Sequence, residues 1–212
     1  MKGTTHVTIG AALGVAAALS RTAAPADAAV YIAAASLSAL AADLDGPGML
    51  NAKLGKLSRF IRNSAIWGGL LLTAAAGYRW FALEKLHLSF TVFAVSLFLL
   101  GLAAGAGAIR NALVSLVGLV LAYGGIRFAQ PWLAGLGAFV VCAPWLNHRG
   151  LTHTVWAVLA WTAIGWGFER ATGIAGVASV CTAGYASHVL ADMLTPQGVK
   201  LLYPLARKSF KL

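Results

Sequence analysis

The hexapeptide HRGLTH, His148 to His153, sets two imidazoles, a guanidinium and a hydroxyl between two long apolar runs of the chain. Histidines and acids are scarce, five and six in 212 residues, so the places where they gather carry information. Four histidines (His6, His148, His153 and His188) and three aspartates (Asp43, Asp45 and Asp192) fall in four short stretches, each at the edge of an apolar segment. Imidazole and carboxylate suit Zn, Mn or Fe, and several together can hold one or two divalent ions with a position left for water. Such an ion lowers the pKa of its water towards neutrality and polarises the phosphoryl or carbonyl oxygen under attack.

The spacings support this unevenly. In SHVLAD, His188 and Asp192 stand four apart, about 40° apart around a helix axis and therefore on one face. In ADLDGPG, Asp43 and Asp45 would diverge on a regular helix, but Gly46, Pro47 and Gly48 end it, and a turn lets both carboxylates face one ion. In HRGLTH the histidines are five apart with Gly150 between them, at a loop-to-helix junction. Each element alone has a plain structural explanation: a D-x-D caps a helix end, and His188 with Asp192 is an ordinary helix pair. Together, in a chain so poor in polar groups, they point to function, because ionisable groups at a membrane edge are costly. On this reading Thr152, Ser187 and Thr195 orient the imidazoles and carboxylates. Lys53, Arg59 and Arg149 hold phosphate, Arg149 best because its guanidinium is a planar bidentate fork. Asp45, His153 and Arg149 form the expected catalytic set, with proton transfer falling to Asp45 or His153.

The elements that must position these residues are membrane helices. Hydrophobic residues make up 59% of the chain and charged ones 10%, with mean hydropathy +0.79, far below the roughly 25% charge of a soluble domain. A spanning helix needs about 20 mostly apolar residues, and the runs here are continuous rather than alternating, which favours helices over a barrel. The sequence predicts an all-α polytopic protein with about eight transmembrane helices, at 5–20, 28–42, 64–81, 88–108, 112–128, 132–146, 154–168 and 174–194. Gly10/Gly14 and Gly101/Gly105 have the spacing that lets helix backbones approach closely in lipid. Cys142 and Cys181 read as small buried residues.

Orientation follows from the basic residues. With the N-terminus inside, eleven of the sixteen lysines and arginines, Lys2, Lys53, Lys56, Arg59, Arg62, Arg110, Arg149, Lys200, Arg207, Lys208 and Lys211, face the cytoplasm, as the positive-inside rule requires. Both termini and all four His/Asp stretches then share that face, while Glu84 and His87 lie opposite in an interfacial loop. The net charge of +10 is explained by this topology and by attraction to anionic lipid headgroups. Nucleic-acid binding is disfavoured, because the bases are split among short loops without an aromatic platform. The N-terminal stretch also resembles a signal peptide with an A-x-A site in APADA, but Arg21 interrupts the pattern and cleavage would remove His6.

The blocks GTTHVTIGAALG, ADLDGPG, HRGLTHT and GYASHVLADMLTPQGVKLLYP resemble the signatures of the YdjM-like family of bacterial inner-membrane metal-dependent hydrolases. The resemblance covers roughly the first 60 and last 65 residues of a single membrane domain, 1–212, with 63–147 read as a helical insertion. It implies a multi-pass protein of the bacterial inner membrane that binds one or two divalent ions through His6, Asp43, Asp45, His148, His153, His188 and Asp192. Where the family pattern has a histidine after the second aspartate this chain has Gly46, which implies nearer one tightly held ion than two.

Metal chemistry, nearby bases and the lipid setting point to a phosphoester in a lipid or membrane-associated substrate. The rival is a non-enzymatic membrane protein, a cation transporter or a metal-stabilised scaffold. A transporter is expected to carry polar residues near the bilayer midplane, whereas here they gather at one edge. In a background lacking Cys142 and Cys181, cysteines introduced near His148 and after Pro204 should react with impermeant reagents only from the cytoplasm. Cysteines at Lys85 and Glu169 should react only from outside, and exterior labelling of the HRGLTH turn would remove the shared face.

Overall fold

The computed structural model describes residues 1–212 apart from Thr22, Pro47 and Leu50, so the proline expected to help end the second helix lies outside the described residues. Among the described residues eight α-helices follow one another: α1 (Gly3–Ser20), α2 (Pro25–Ala41), α3 (Ala52–Leu83), α4 (Leu88–Ala103), α5 (Ala106–Arg127), α6 (Pro131–Cys142), α7 (Val155–Thr172) and α8 (Val177–Met193). Short 3-10 turns at Ala42–Asp45, Ala143–Trp145 and Leu151–His153 join or extend them. Among the described residues the extended pairing is one isolated antiparallel bridge, Val199 with Phe210.

The described residues form an all-helical fold, as the hydropathy predicts, and among them three segments are long and apolar enough to cross a bilayer: Gly3–Ser20, Pro25–Asp45 and Ala106–Arg127. Leu88–Ala103 and Pro131–Trp145 are apolar but shorter. Large apolar side chains such as Leu71, Phe81, Val120 and Leu159 stand exposed on helix faces, an arrangement that suits lipid and not water.

Helix limits depart from the hydropathy reading where polarity and helicity separate. α3 begins at Ala52 rather than near residue 64, so Lys53, Lys56, Arg59 and Arg62 are helical and not a loop. Lysine and arginine are good helix formers, and apolarity marks only where a helix enters lipid. α4 stops at Ala103, with Ala104 extended, and α7 runs on to Thr172, closed by Gly173 in the left-handed region. Cys142 is exposed and Cys181 buried, correcting the reading of both as buried: Cys142 closes a short helix whose sides are largely uncovered.

The chain divides into two compact units, residues 52–113 and residues 1–51 with 114–212. In the first, α3 and α4 pack where Gly69 meets Phe98 and Gly101 meets Ile66. Gly105, its expected partner in the small-residue pair, faces open space in the break before α5. In the second, α1 packs on α2, both pack on α8, α8 packs on α7, and α7 on α6. Its core holds Tyr185, Trp161 and Phe139 in mutual ring contact. The buried polar atoms of the first two are satisfied: Trp161 Nε1 donates to Ser38 Oγ at 2.9 Å and the Tyr185 hydroxyl to the Thr152 carbonyl at 2.6 Å.

Three ladders of four-residue spacing aim the site. The buried residues of α1 are His6, Gly10, Gly14 and Ala18, so the histidine continues the face along which the glycines touch α2. On α2, Ala35 and Ala39 are fully buried, and four residues on stands Asp43. On α8 the ladder is Gly184, His188 and Asp192, all buried. A Cβ on Gly14 would lie 2.5 Å from Ile32 Cα, and one on Gly184 would lie 2.5 Å from the Ala35 carbonyl. Gly14→Ala should therefore destabilise the protein by about 1–3 kcal/mol, since the α2 backbone itself must move. Gly77→Ala, where a Cβ meets nothing within 4 Å, should be neutral or stabilise by up to about 1 kcal/mol. Thermal unfolding in detergent should give Tm changes of opposite sign, and equal Tm values would remove this seam as the support of His6.

Candidate metal centre

All seven expected ligands lie at one end of the unit formed by residues 1–51 and 114–212. His6 comes from the first turn of α1, Asp43 and Asp45 from the 3-10 turn after α2, His148 and His153 from the segment between α6 and α7, and His188 and Asp192 from the last turns of α8. Among the described residues, donor atoms converge in three overlapping groups: His6, Asp43 and His188; His153, His188 and Asp192; and Asp43, Asp45 and His148, within 4.8 Å in each group.

Ring orientation is fixed from behind. His188 donates Nδ1–H to the Ala39 carbonyl at 2.6 Å, which leaves the Nε2 lone pair pointing into the cluster. Thr152 donates its hydroxyl proton to Asp45 Oδ2 at 2.6 Å, so the same oxygen accepts Nδ1–H of His153 at 2.9 Å. The two rings therefore present unprotonated Nε2 atoms to each other across 3.2 Å, and both side chains are fully buried. Such a backing hydrogen bond is the usual arrangement behind a metal-ligating imidazole.

Asp192 is the hub of the inner group. Its Oδ2 lies 3.4 Å from His153 Nε2 and 3.8 Å from His188 Nε2, and its Oδ1 lies 3.6 Å from His6 Nε2 and 2.8 Å from the Met1 ammonium. His188 Nε2 is 3.5 Å from Asp43 Oδ1. The histidine–aspartate gaps, 3.4–3.8 Å, are long for hydrogen bonds and lie at or a few tenths of an ångström above the edge of a coordination tetrahedron, about 3.3–3.4 Å for bonds of 2.0–2.1 Å. His6 supplies the sharpest test of fit. Its ring stacks on His188 at 3.8 Å, it is 1% exposed, and neither nitrogen has a hydrogen-bond partner among the described residues. A buried imidazole with two orphaned nitrogens is costly, and a cation held between these donors would satisfy it.

The outer group is wetter. The His148 side chain is 52% exposed, and its Nδ1–H donates to Asp45 Oδ1 at 2.7 Å. That carboxylate raises the His148 pKa above its ordinary value against a smaller effect of burial. Burial works against the charged form of His153, but the Asp192 and Asp45 carboxylates outweigh it and raise its pKa, so the unprotonated Nε2 described above is that of the neutral ring. A Cβ on Gly46 would meet His148 Nδ1 at 3.2 Å, so the space beside that glycine is filled by the His148 ring.

Among the other expected residues, Thr152 bridges Asp45 and His153 as described. Thr195 donates to the Asp192 carbonyl at 2.7 Å and accepts from Arg149 Nη1 at 2.9 Å. Ser187 bonds back to the Gly184 carbonyl of its own helix. Arg149 has φ 59°, a left-handed conformation that costs a non-glycine residue about 1–3 kcal/mol. It aims its N–H at Asp45 Oδ2, 3.1 Å away. Its guanidinium is committed to Asp192 Oδ2 at 3.2 Å, Thr195 and the Gly198 carbonyl at 3.1 Å. Lys53 and Arg59 belong to the other unit, exposed on α3. Two contributors went unread in the sequence. The Ala39 carbonyl is a backbone group that no residue type announces, and Tyr185, which donates to the Thr152 carbonyl, carries no charge or ligand atom that would mark it.

A model of the family described as "YdjM inner membrane protein" matches residues 1–212. The chain is 46% identical over 73 residues to the Inner membrane protein YdjM of Escherichia coli (strain K12), and to that of Shigella flexneri to the same extent. This stretch covers 31% of this chain and 34% of each relative, so the chain spans about a third of the length of the curated relatives it matches. No solved structure matches it. With the whole-length match taking in all four His/Asp stretches and the helices between them, the chain belongs to the YdjM inner membrane protein family.

Proposed function

We propose that this protein is a metal-dependent hydrolase of the inner membrane that cleaves a phosphoester at the cytoplasmic face, with both termini on that side and its helices crossing as a multi-pass bundle. The observation that carries the reading is the facing pair of His153 and His188 Nε2 atoms, 3.2 Å apart and buried, each with Nδ1–H committed elsewhere. Two neutral imidazoles so placed repel unless a cation lies beside them. His6, Asp43, His153, His188 and Asp192 would hold a divalent ion, Zn, Mn or Fe by donor type, which supplies an activated water and polarises the ester oxygen.

The remaining chemistry falls to this chain's own groups. Asp45 holds the His148 ring in one tautomer, with Nε2 free at a half-exposed position, as a carboxylate behind a catalytic imidazole does. Proton transfer at His148 Nε2 is thus assigned in preference to His153, whose ring solvent does not reach. Hydrolysis would form one P–O bond from water and break the ester P–O bond; the leaving oxygen would take a proton from Nε2 of the protonated His148 ring, and the proton lost by the attacking water would restore it. Arg149 acts as a positioning residue, holding Asp192 in place.

Metal analysis of the purified chain with a hydrolysis screen over phospholipids, isoprenoid phosphates and simple phosphodiesters tests the reading. Absence of metal-dependent turnover on every class would overturn it. His153→Ala and Asp192→Ala should each lower metal affinity at least about 10- to 100-fold, while His87→Ala changes nothing. His148→Ala should keep its ion yet lose about 10²- to 10⁴-fold in turnover. Loss of the ion in that variant would make His148 a ligand instead.

A further inference from the structure

Beside the cluster, a cavity of about 220 Å³ opens between the HRGLTH turn and the segment after α8, lined among others by Trp145, His148, Arg149, Leu151, Lys200 and Tyr203. None of its lining residues is acidic, so its charge is positive. The two walls are latched together. The Arg149 guanidinium bonds the Gly198 carbonyl, and Val155 N–H bonds the Leu201 carbonyl at 3.0 Å. The bridge between Val199 and Phe210, with N–H···O distances of 3.1 and 2.8 Å, holds Lys200 at the turn.

The charges of the pocket differ in availability. The two Nη groups of Arg149 are engaged by Asp192, Thr195 and Gly198, and its unpartnered Nε is buried, whereas Lys200 is exposed, and among the described residues its ammonium has no ion-pair partner. His148, the half-exposed imidazole, stands on the same wall. An anion in this cavity would therefore meet a free ammonium and the outer edge of the cluster together. The volume corresponds to about seven water-sized groups, room for one phosphoryl group and its ester linkage and too little for a nucleotide or a glycan. At the rim, Trp145 is 58% exposed and Leu151 38% exposed, an apolar margin fit for a tail lying in lipid.

We propose that this cavity receives the headgroup of an amphiphilic phosphomonoester, with Lys200 as the cation that binds the phosphoryl oxygens and the Tyr203 hydroxyl as a further donor. The substrate class is then a single-phosphate headgroup on an apolar tail. The inference rests on the phosphoester reading above.

Dodecylphosphonate, whose P–C bond resists hydrolysis, serves as the probe for the metal-loaded full chain in uncharged detergent, with affinity read by calorimetry. Lys200→Gln should weaken binding about tenfold or more, and Tyr203→Phe about two- to tenfold. Lys200→Arg should restore most of the affinity, and Lys208→Gln should leave it unchanged. Methylphosphonate, the same head without a tail, should bind at least about tenfold more weakly. Equal affinity of wild type and Lys200→Gln overturns the site, and equal affinity for the two phosphonates overturns the amphiphile in favour of a soluble phosphate. If Lys200-dependent binding is found in a protein that hydrolyses no phosphoester, the pocket stands and the hydrolase reading falls. If phosphoesters are hydrolysed while Lys200→Gln leaves both KM and phosphonate affinity unchanged, the reverse holds.

Discussion

Everything in the larger unit is organised around two imidazole nitrogens that meet at 3.2 Å in the interior of a helical bundle. Each ring is pinned through its other nitrogen, His188 to a backbone carbonyl of α2 and His153 to a threonine that is itself held by Asp45. Neither ring can turn away to relieve the encounter without breaking a buried hydrogen bond, and an abandoned buried partner costs about 1–3 kcal/mol. The orphaned His6 ring stacked against His188 sharpens the point. In so apolar a chain, this buried polar encounter is what the proposed cation site would require.

Holding donors from four chain segments in register requires helices whose separation does not drift. Lipid offers no hydrophobic drive for helix association, so close backbone contact has to supply the rigidity. Gly10 and Gly14 against α2, Gly184 against Ala35, and Gly165 against the Cys181 Cβ bring helix faces together until a single added carbon would collide. The ligand-type residues sit one turn beyond the last small residue of each ladder. A change in helix separation at Gly14 is thereby transmitted along α1 to His6, and one at Gly184 to His188.

Much of the site was legible because scarcity made it so. His6, Asp43, Asp45, His148, His153, His188 and Asp192 stood out in a chain with five histidines and six acids, and the structure brings all seven to one end of a single unit. The helical class was equally plain from continuous apolar runs. What stayed hidden depends on partners or on backbone. The start of α3 at Ala52 is invisible to hydropathy because a helix continues through polar residues. Gly101 and Gly105 look alike in sequence, but only Gly101 finds a neighbouring helix. Lys53 and Arg59 are exposed on α3 in the other unit, and Arg149 faces the cluster with both Nη groups already engaged.

That last case shows why two basic residues beside one pocket do different work. A guanidinium spreads its charge over a plane with five donors and is weakly hydrated, so it can be largely buried while serving several acceptors in fixed directions. Arg149 does so with the Asp192 carboxylate, the Thr195 hydroxyl and the Gly198 carbonyl, its side chain 16% exposed. It ties the C-terminal turn to the cluster and accepts a left-handed backbone to do it. An ammonium is compact and strongly hydrated, which makes it a poor clamp in the interior. At a solvent-exposed rim, though, it can exchange water for phosphate oxygens at little structural cost. Exchanging the two residue types would leave the inner carboxylate with fewer donors and give the rim a stiffer cation. The sequence places Arg149 within the HRGLTH motif and Lys200 on the turn that Arg149 anchors, so the buried cation fixes where the exposed one stands.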